Sequence, residues 1–476
     1  MKKVHRKNQV IRVGLTLSVP DVYIQKHMDN TRSRQLFSGV APFHTSLRKN
    51  VIWAFSGNLV FSGCQWVVLS VLAKLTTPEV VGKYALALAV VAPLMMIANF
   101  NIGVMLVTDT NRQFRFADYQ TARLSLIALS FVLMLAVVRI SHFSIDVLLA
   151  TVILGILQAV DCYSDLYFSL MQRCERMARI AVSLILRGLL SLGVGAAVLY
   201  RTKDLLWTLA AMAGGRLVVL LAYDLWVCNE SRVSDGTLIS NELADCGDRA
   251  RATSIQAAFH IVKTALPLTI VTFLTVLGVN IPRYFIERYA GHRDLGIFAA
   301  MWSLLTAGNM IAIAVGQALF PRLSKMYAAR DLDGFRRLVW RSVQISIGLG
   351  FMGTAGSVIA GKQALQFIYR PEYAERHWLF TALMFTGTLL YVITALGYAA
   401  TSARSFKSQA VLMCVVASTM LVGSALLVPR FGLWGAILAV AIGSGLHIAG
   451  LWMILNTVWG PNHAIEVQQS MAGESA

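Results

Sequence analysis

Charge is scarce in this chain of 476 residues. Asp, Glu, Lys and Arg make up 14% of it, against about 25% in a soluble globule. Acidic residues are the scarcer sign, 24 against 42 Lys and Arg. Cysteine is also sparse. The six cysteines (Cys64, Cys162, Cys174, Cys228, Cys246 and Cys414) form no CxxC pair and have no histidines at ligand spacing. They read as small packing residues, so neither a disulfide framework nor a metal site is expected. HExxH, GxSxG, Walker A and dinucleotide glycine patterns are missing, and the longest interior hydrophilic stretch, Asn229 to Ile255, is too short for an enzyme domain. These absences argue against an enzyme, against a resident cofactor and against ATP-driven transport by this chain alone.

Apolar surface is what the chain has in excess. It is 57% hydrophobic with a mean hydropathy of +0.63, and its apolar runs reach the roughly 20 residues a helix needs to cross a bilayer. Barrel strands would alternate polar and apolar residues over about ten positions; these runs are continuous. The expected fold class is an all-α polytopic membrane protein of about twelve spans. They fall near 51–73, 84–107, 122–140, 147–168, 178–199, 205–227, 260–281, 295–318, 338–360, 378–401, 409–428 and 433–456.

The net charge of +18 raises the question of nucleic acid. The basic residues lie in the tail before Asn50 and in short loops beside spans, as the positive-inside rule expects, and no compact basic module could dock a duplex. With the N-terminus inside, about 28 Lys and Arg fall on the cytoplasmic side and about 12 outside. An even number of spans places both termini in the cytoplasm.

The expected organisation follows. Residues 1–49 are a basic cytoplasmic tail without structure, in which Met28 is an alternative start. Residues 50–228 form a first lobe of six spans, 229–256 a cytoplasmic loop, 257–456 a second lobe, and 457–476 a second tail. The lobes look like copies. Pro78-Glu79-Val80-Val81-Gly82-Lys83-Tyr84 before the second span matches Arg293-Asp294-Leu295-Gly296-Ile297-Phe298 before the eighth: an acidic residue, a glycine, an aromatic. Val198-Leu199-Tyr200-Arg201 and Leu427-Val428-Pro429-Arg430 form a second pair. Parallel repeats of this kind are common in transporters, with the substrate between the halves.

A polar side chain in hydrocarbon is costly unless it faces protein or water. The fourth span carries Gln158, Asp161, Cys162, Asp165, Ser169 and Gln172, at spacings of three and four that put them on one face. The fifth has Ser183, Arg187 and Ser191; the sixth has Arg216; the first has Asn58, Ser62 and Gln65. Such stripes would line a water-filled cavity. The plainer readings stand beside that one. Asp161 or Asp165 would neutralise Arg187 or Arg216 in a structural pair, and Ser and Asn would bond helix to helix. Arg283, near the outer end of the seventh span, is either a ligand contact or an interfacial anchor. The cluster Arg322, Lys325, Arg336, Arg337 and Arg341 is a topology determinant that meets anionic lipid, and Lys263 snorkels. Two unpaired cavity arginines would suit a phosphate or pyrophosphate head group, which guanidinium matches bidentately.

Several segments resemble bacterial lipid-linked oligosaccharide flippases, the Wzx-type polysaccharide transporters, whose superfamily also holds multidrug and toxin extruders and peptidoglycan-precursor flippases. They are Leu47-Arg48-Lys49-Asn50 with Pro78 to Leu86; Gln172-Arg173-Cys174-Glu175-Arg176-Met177-Ala178 with Ser183 and Arg187-Gly188-Leu189-Leu190-Ser191; Asn280-Ile281-Pro282-Arg283-Tyr284-Phe285 with Leu295-Gly296-Ile297-Phe298; and Phe431-Gly432-Leu433-Trp434-Gly435-Ala436. The resemblance implies two six-helix lobes around a central cavity in a bacterial inner membrane, alternating between inward- and outward-facing states. The implied cargo is an undecaprenyl-diphosphate-linked glycan; the implied partners are membrane lipids, a polysaccharide polymerase and a chain-length regulator. By position, Arg187, Arg216, Arg283 and Gln158 are the expected substrate-binding residues, and Asp161 and Asp165 the ion-coupling ones. The alternatives are a multidrug/cation antiporter of the same superfamily and a membrane enzyme acting on the same lipid.

Overall fold

The computed structural model describes residues 47–108, 114–141, 143–173, 176–227, 255–403 and 405–459. The expected N-terminal tail before Leu47, most of the inter-lobe loop, nearly all of the C-terminal tail, and Cys174, Cys228 and Cys246 lie outside those residues. The description below concerns the described residues of the unit Asn50–Ala476, with the first turn that leads into it.

The described residues are helical, without a strand. This is what a bilayer demands, since every backbone N–H must find an acceptor within its own segment when no water is at hand. In chain order the helices are α1 (Leu47–Leu75), α2 (Pro78–Asn99), the short α3 (Ile102–Thr108), α4 (Phe116–Ile140), α5 (Ile145–Arg173), α6 (Met177–Thr202) and α7 (Leu205–Val219). A π turn, Leu220–Asp224, prolongs α7. Then come α8 (Ile255–Ala328), α9 (Leu332–Ile368), the short α10 (Pro371–Ala374), α11 (His377–Ser402), α12 (Phe406–Phe431) and α13 (Leu433–Trp459).

Eleven of these helices are long and apolar enough to cross a membrane. One of them runs 57 residues, Thr272–Ala328, about 85 Å at 1.5 Å per residue, which is more than twice the roughly 30 Å hydrocarbon core. It is broken at Gly291, whose φ of 83° and ψ of 176° leave the helical region, a conformation open to a residue without Cβ. The twelve expected crossings are therefore present, two of them in α8. The seventh span does not end near residue 281. The chain stays helical to the break, so Pro282 and Arg283 lie inside the helix. Similarly, α9 overshoots its expected span at both ends; it starts where Asp331 accepts from the Gly334 amide at 2.8 Å, a cap that hydropathy cannot register.

Within the first half, α2 packs on α4 and α5, and α7 on α5 and α6; within the second, α11 packs on α9 and α13, and α12 on α13. The halves meet chiefly along α2 and α8, and one apolar core runs through both, from Leu86 and Met95 to Phe298 and Leu396. The first pair of repeat segments, residues 78–84 and 293–298, lies at this meeting. A Cβ added to Gly82 would come closer than 3.0 Å to the His292 carbonyl, and one added to Gly296 closer than 3.0 Å to the Pro78 carbonyl. Each repeat glycine thus admits the backbone of the opposite copy. A second apolar cluster packs the first turns of α8 (Ala258, Ile261, Ala265) on Phe100, Tyr119, Tyr167 and Met171 of the first half.

Candidate functional site

The polar residues singled out in α5, α6 and α7 converge. Arg187 and Arg216 are each 2% exposed, a placement that only paired charges tolerate in an apolar interior. Arg187 donates through Nη2 to Asp224 Oδ2 and through Nη1 to Asp161 Oδ1 at 3.5 Å. Arg216 donates through Nη1 to Asp161 Oδ2 and through Nε to Ser191 Oγ at 3.3 Å. Ser183 Oγ donates to the other oxygen of Asp224 at 2.5 Å. Aromatic faces cover what remains: the Phe168 ring lies 4.8 Å from the Arg187 guanidinium, and the Phe61 ring 5.4 Å from that of Arg216. Two cations and two carboxylates close the network at zero net charge.

Of the two readings offered above, the geometry is that of the structural pair: Arg187 and Arg216 are not unpaired cavity cations but are neutralised, with Asp161 bridging both and Asp224, in place of Asp165, completing the set. Asp224 was not foreseen. The π turn, in which the Leu225 amide reaches back to the Leu220 carbonyl, carries its carboxylate to Arg187 at zero exposure. Single π turns of this kind are frequent at functional sites.

One face of the network is open. Asp161 is 23% exposed, and Gln158 and Asp165, on the same face of α5, are half-buried. Asp165 makes no ion pair with a described residue, although Arg123 and Arg187 lie near enough to feel its charge. Arg123 is a second residue, after Asp224, that the sequence did not single out. It is fully buried and donates through Nη1 to the Ala98 and Asn99 carbonyls and to Asn99 Oδ1, at 2.7–3.0 Å. It therefore caps the carbonyl end of α2, where the helix dipole favours a cation.

Arg283 is placed differently. It is half-buried within α8, and its Nη1 donates to Asn280 Oδ1, one turn back, at 2.9 Å. Its Nε is buried without a partner, and it has no carboxylate within ion-pair distance among the described residues. Tyr84 of α2 lies within electrostatic reach of both Arg283 and Arg216.

The remaining candidates fall outside this centre. Asn58 is exposed and donates to the Ala54 carbonyl at 2.8 Å, a bond within its own helix. Arg322, Lys325, Arg336, Arg337 and Arg341 are all exposed, as is Lys263. Cys64 packs beside Gly188, Cys162 is buried, and Cys414 faces outward.

Comparison with known proteins places this architecture. The family model of polysaccharide biosynthesis proteins matches residues 47–327. The chain is 25% identical over 398 residues to the capsular polysaccharide biosynthesis protein CapF of Staphylococcus aureus, over 83% of this chain and 95% of that one. Among solved structures, the lipid II flippase MurJ in an inward closed conformation is similar at a TM-score of 0.66 and 10% identity, over 85% and 87% of the two chains. A multidrug resistance MATE family transporter of the MOP superfamily, inward-facing, is similar at 0.60 and 12% identity, over 88% and 96%. At such identities these two structures establish a shared fold.

Proposed function

Because the chain belongs to the polysaccharide biosynthesis protein family and has the fold of membrane transporters, we propose that it is a flippase for a polyprenyl-diphosphate-linked glycan. It would carry undecaprenyl-diphosphate-linked oligosaccharide from the cytoplasmic to the periplasmic leaflet of a bacterial inner membrane, with both termini in the cytoplasm. The two six-span lobes, 50–228 and 257–456, would move against one another about the site.

The observation that carries the head-group assignment is Arg283. An intramembrane guanidinium without a carboxylate costs several kcal/mol unless a ligand or water meets it, and the diphosphate is an anion of matching fork geometry. Arg187 and Arg216 take a supporting part in this reading. Their charge is spent on Asp161 and Asp224, and what they present to the open face is the Asp161 carboxylate they hold between them. Asp161 and Asp165, with Gln158 beside them, are the groups that would take a proton or Na⁺ to couple transport.

The test uses purified protein in proteoliposomes containing undecaprenyl-diphosphate oligosaccharide, following how fast the sugar becomes accessible to an impermeant glycan-modifying enzyme. Arg283→Ala is expected to lower the rate at least tenfold with the fold intact, and Asp161→Asn to abolish dependence on an imposed ion gradient. Translocation at the wild-type rate in Arg283→Ala would remove that residue from the site. Absence of translocation by the wild type, across several glycans and with a gradient, would favour the second reading. That reading is a cation antiporter, and the half-buried carboxylates of α5 are the observation behind it.

A further inference from the structure

The seam between the halves carries a groove that the charged centre does not use. Its floor is α2, through the buried Val90, Pro93 and Leu94. One wall is α4 with the turn that follows it, and the other is α8 up to its break. The groove has a volume of about 840 Å³, within the about 300–1,000 Å³ typical of small-molecule sites. It ends beside His292, whose carbonyl is the point that Gly82 approaches.

The lining changes character along both walls. On α8, Phe273 and Leu277 come first, then Tyr284, and then Glu287, Arg288 and His292 at the break. On the other side, Val137 and Ile140 are followed by Ser141 and Ser144. From Phe273 to Glu287 the helix climbs about 21 Å at 1.5 Å per residue, more than the roughly 15 Å of one leaflet, half the hydrocarbon core. A groove that is apolar in its depth and charged at its mouth, running along helices that cross the bilayer, has the polarity of a lipid standing in one leaflet.

The polar groups at the mouth are not spent on the protein. Among the described residues, Arg288 has no hydrogen-bond or ion-pair partner, and neither have the hydroxyls of Ser141 and Ser144. The nearest cation to Glu287 is His292 Nδ1, 3.9 Å away and beyond hydrogen-bond distance; that nitrogen is itself buried without a partner. Tyr284 is the exception. Pro93 has no N–H to give to the Ala89 carbonyl, and the Tyr284 hydroxyl donates there instead, which ties α8 to the floor.

A guanidinium and a carboxylate at one mouth fit a ligand that carries both signs. A diphosphate lipid would bring its negative charges up to Glu287, and like charges repel. A phospholipid with a phosphate and a primary ammonium matches both groups. Arg288 and the serine hydroxyls suit the phosphate, and Glu287 suits the ammonium. Ordinary annular lipid accounts for the apolar walls, but not for a mouth of both signs whose groups are left open. We propose that this groove binds one zwitterionic phospholipid with a primary ammonium head, seated between α4 of the first half and α8 of the second, with a chain along Phe273 and Leu277. The inference needs only that the chain crosses a membrane, and is independent of the cargo assigned above.

The experiment is native mass spectrometry of the purified, delipidated protein titrated with phosphatidylethanolamine, phosphatidylglycerol or undecaprenyl phosphate. The wild type should retain one phosphatidylethanolamine at least tenfold more tightly than phosphatidylglycerol. Glu287→Gln should erase that preference by weakening phosphatidylethanolamine alone, and Arg288→Ala should weaken both phospholipids at least fivefold. Neither side chain belongs to the buried core, so the fold should survive both changes. Leu277→Trp, which fills the apolar depth, should lower retention of phosphatidylethanolamine with the head partners intact. Equal retention of the two phospholipids by the wild type, a preference that survives Glu287→Gln, or unchanged retention in Leu277→Trp would show annular lipid and overturn the proposal. Displacement of phosphatidylethanolamine by undecaprenyl phosphate at equal concentration would also overturn it, and would give the groove to the cargo. None of these readouts involves translocation, so their failure is distinct from failure of the flippase reading.

Discussion

Asp224 and Arg187 illustrate what a charge inside a bundle requires. Each is tolerated because the other is there, so removing one leaves the other desolvated and alone, at a cost of about 3–5 kcal/mol for a buried pair. Asp161 reaches Arg187 only at 3.5 Å and is held more closely by Arg216, so it replaces little of the loss. Asp224→Asn is therefore expected to lower the thermal midpoint in detergent by several degrees. The double variant Asp224→Leu/Arg187→Leu should recover most of it, because two apolar side chains leave no charge unpaired. A double variant that falls by the sum of the single losses would show that the pair is not the cause. The sequence revealed all of this network but one carboxylate. Arg187, Arg216 and Asp161 stand out as ionisable residues in mid-span, and Ser183 and Ser191 share the Arg187 face. Asp224 does not, because eight residues of regular helix put it about 80° from Arg216, and only the π turn brings it into line. Arg123 escaped notice for another reason: at a span's edge, an arginine that caps α2 looks the same in sequence as one that faces the headgroups.

Helices explain where tolerance to change ends. Gly82 and Gly296 are the points at which α2 and α8 approach backbone to backbone, so Gly82→Ala forces the two helices apart. Gly193 and Gly214 have open space where a Cβ would go, and there alanine gains up to about 1 kcal/mol of helix propensity. Thermal midpoints should accordingly drop for Gly82→Ala and Gly296→Ala and hold or rise for Gly193→Ala and Gly214→Ala. Equal behaviour of the two sets would mean the close approach is not a determinant of stability. At this scale the number of spans was legible because long apolar runs have no other use, whereas the match between residues 78–84 and 293–298 read as a repeat and did not reveal that the two copies touch. The ends of the helices were less so. Hydropathy reports where lipid stops, whereas α9 begins where Asp331 caps it and α8 bends where Gly291 permits, and both lie outside the apolar stretch that marks a span.

Across the whole spanning unit, several links between the halves lie at one end. Lys74 Nζ donates to the Phe367 carbonyl at 2.7 Å, Arg293 Nε stands 3.8 Å from Glu79, and the glycine approach lies beside them. In the proposed orientation, with both termini in the cytoplasm, this end would face the periplasm. The ion pair does little to hold it shut, because both partners are about half exposed and such surface pairs contribute about 0–1 kcal/mol. Apolar and backbone packing of α2 on α8 must supply the rest. If transport alternates between openings, this end has to part in each cycle. A short bismaleimide linker joining Glu79→Cys to Arg293→Cys is then expected to stop sugar translocation in proteoliposomes while leaving binding of undecaprenyl-diphosphate trisaccharide in place, with either single cysteine variant transporting normally after the same treatment. Translocation that continues at the unlinked rate would show that the α2 and α8 ends stay together throughout, and the path of the cargo would have to be sought along another face of the bundle.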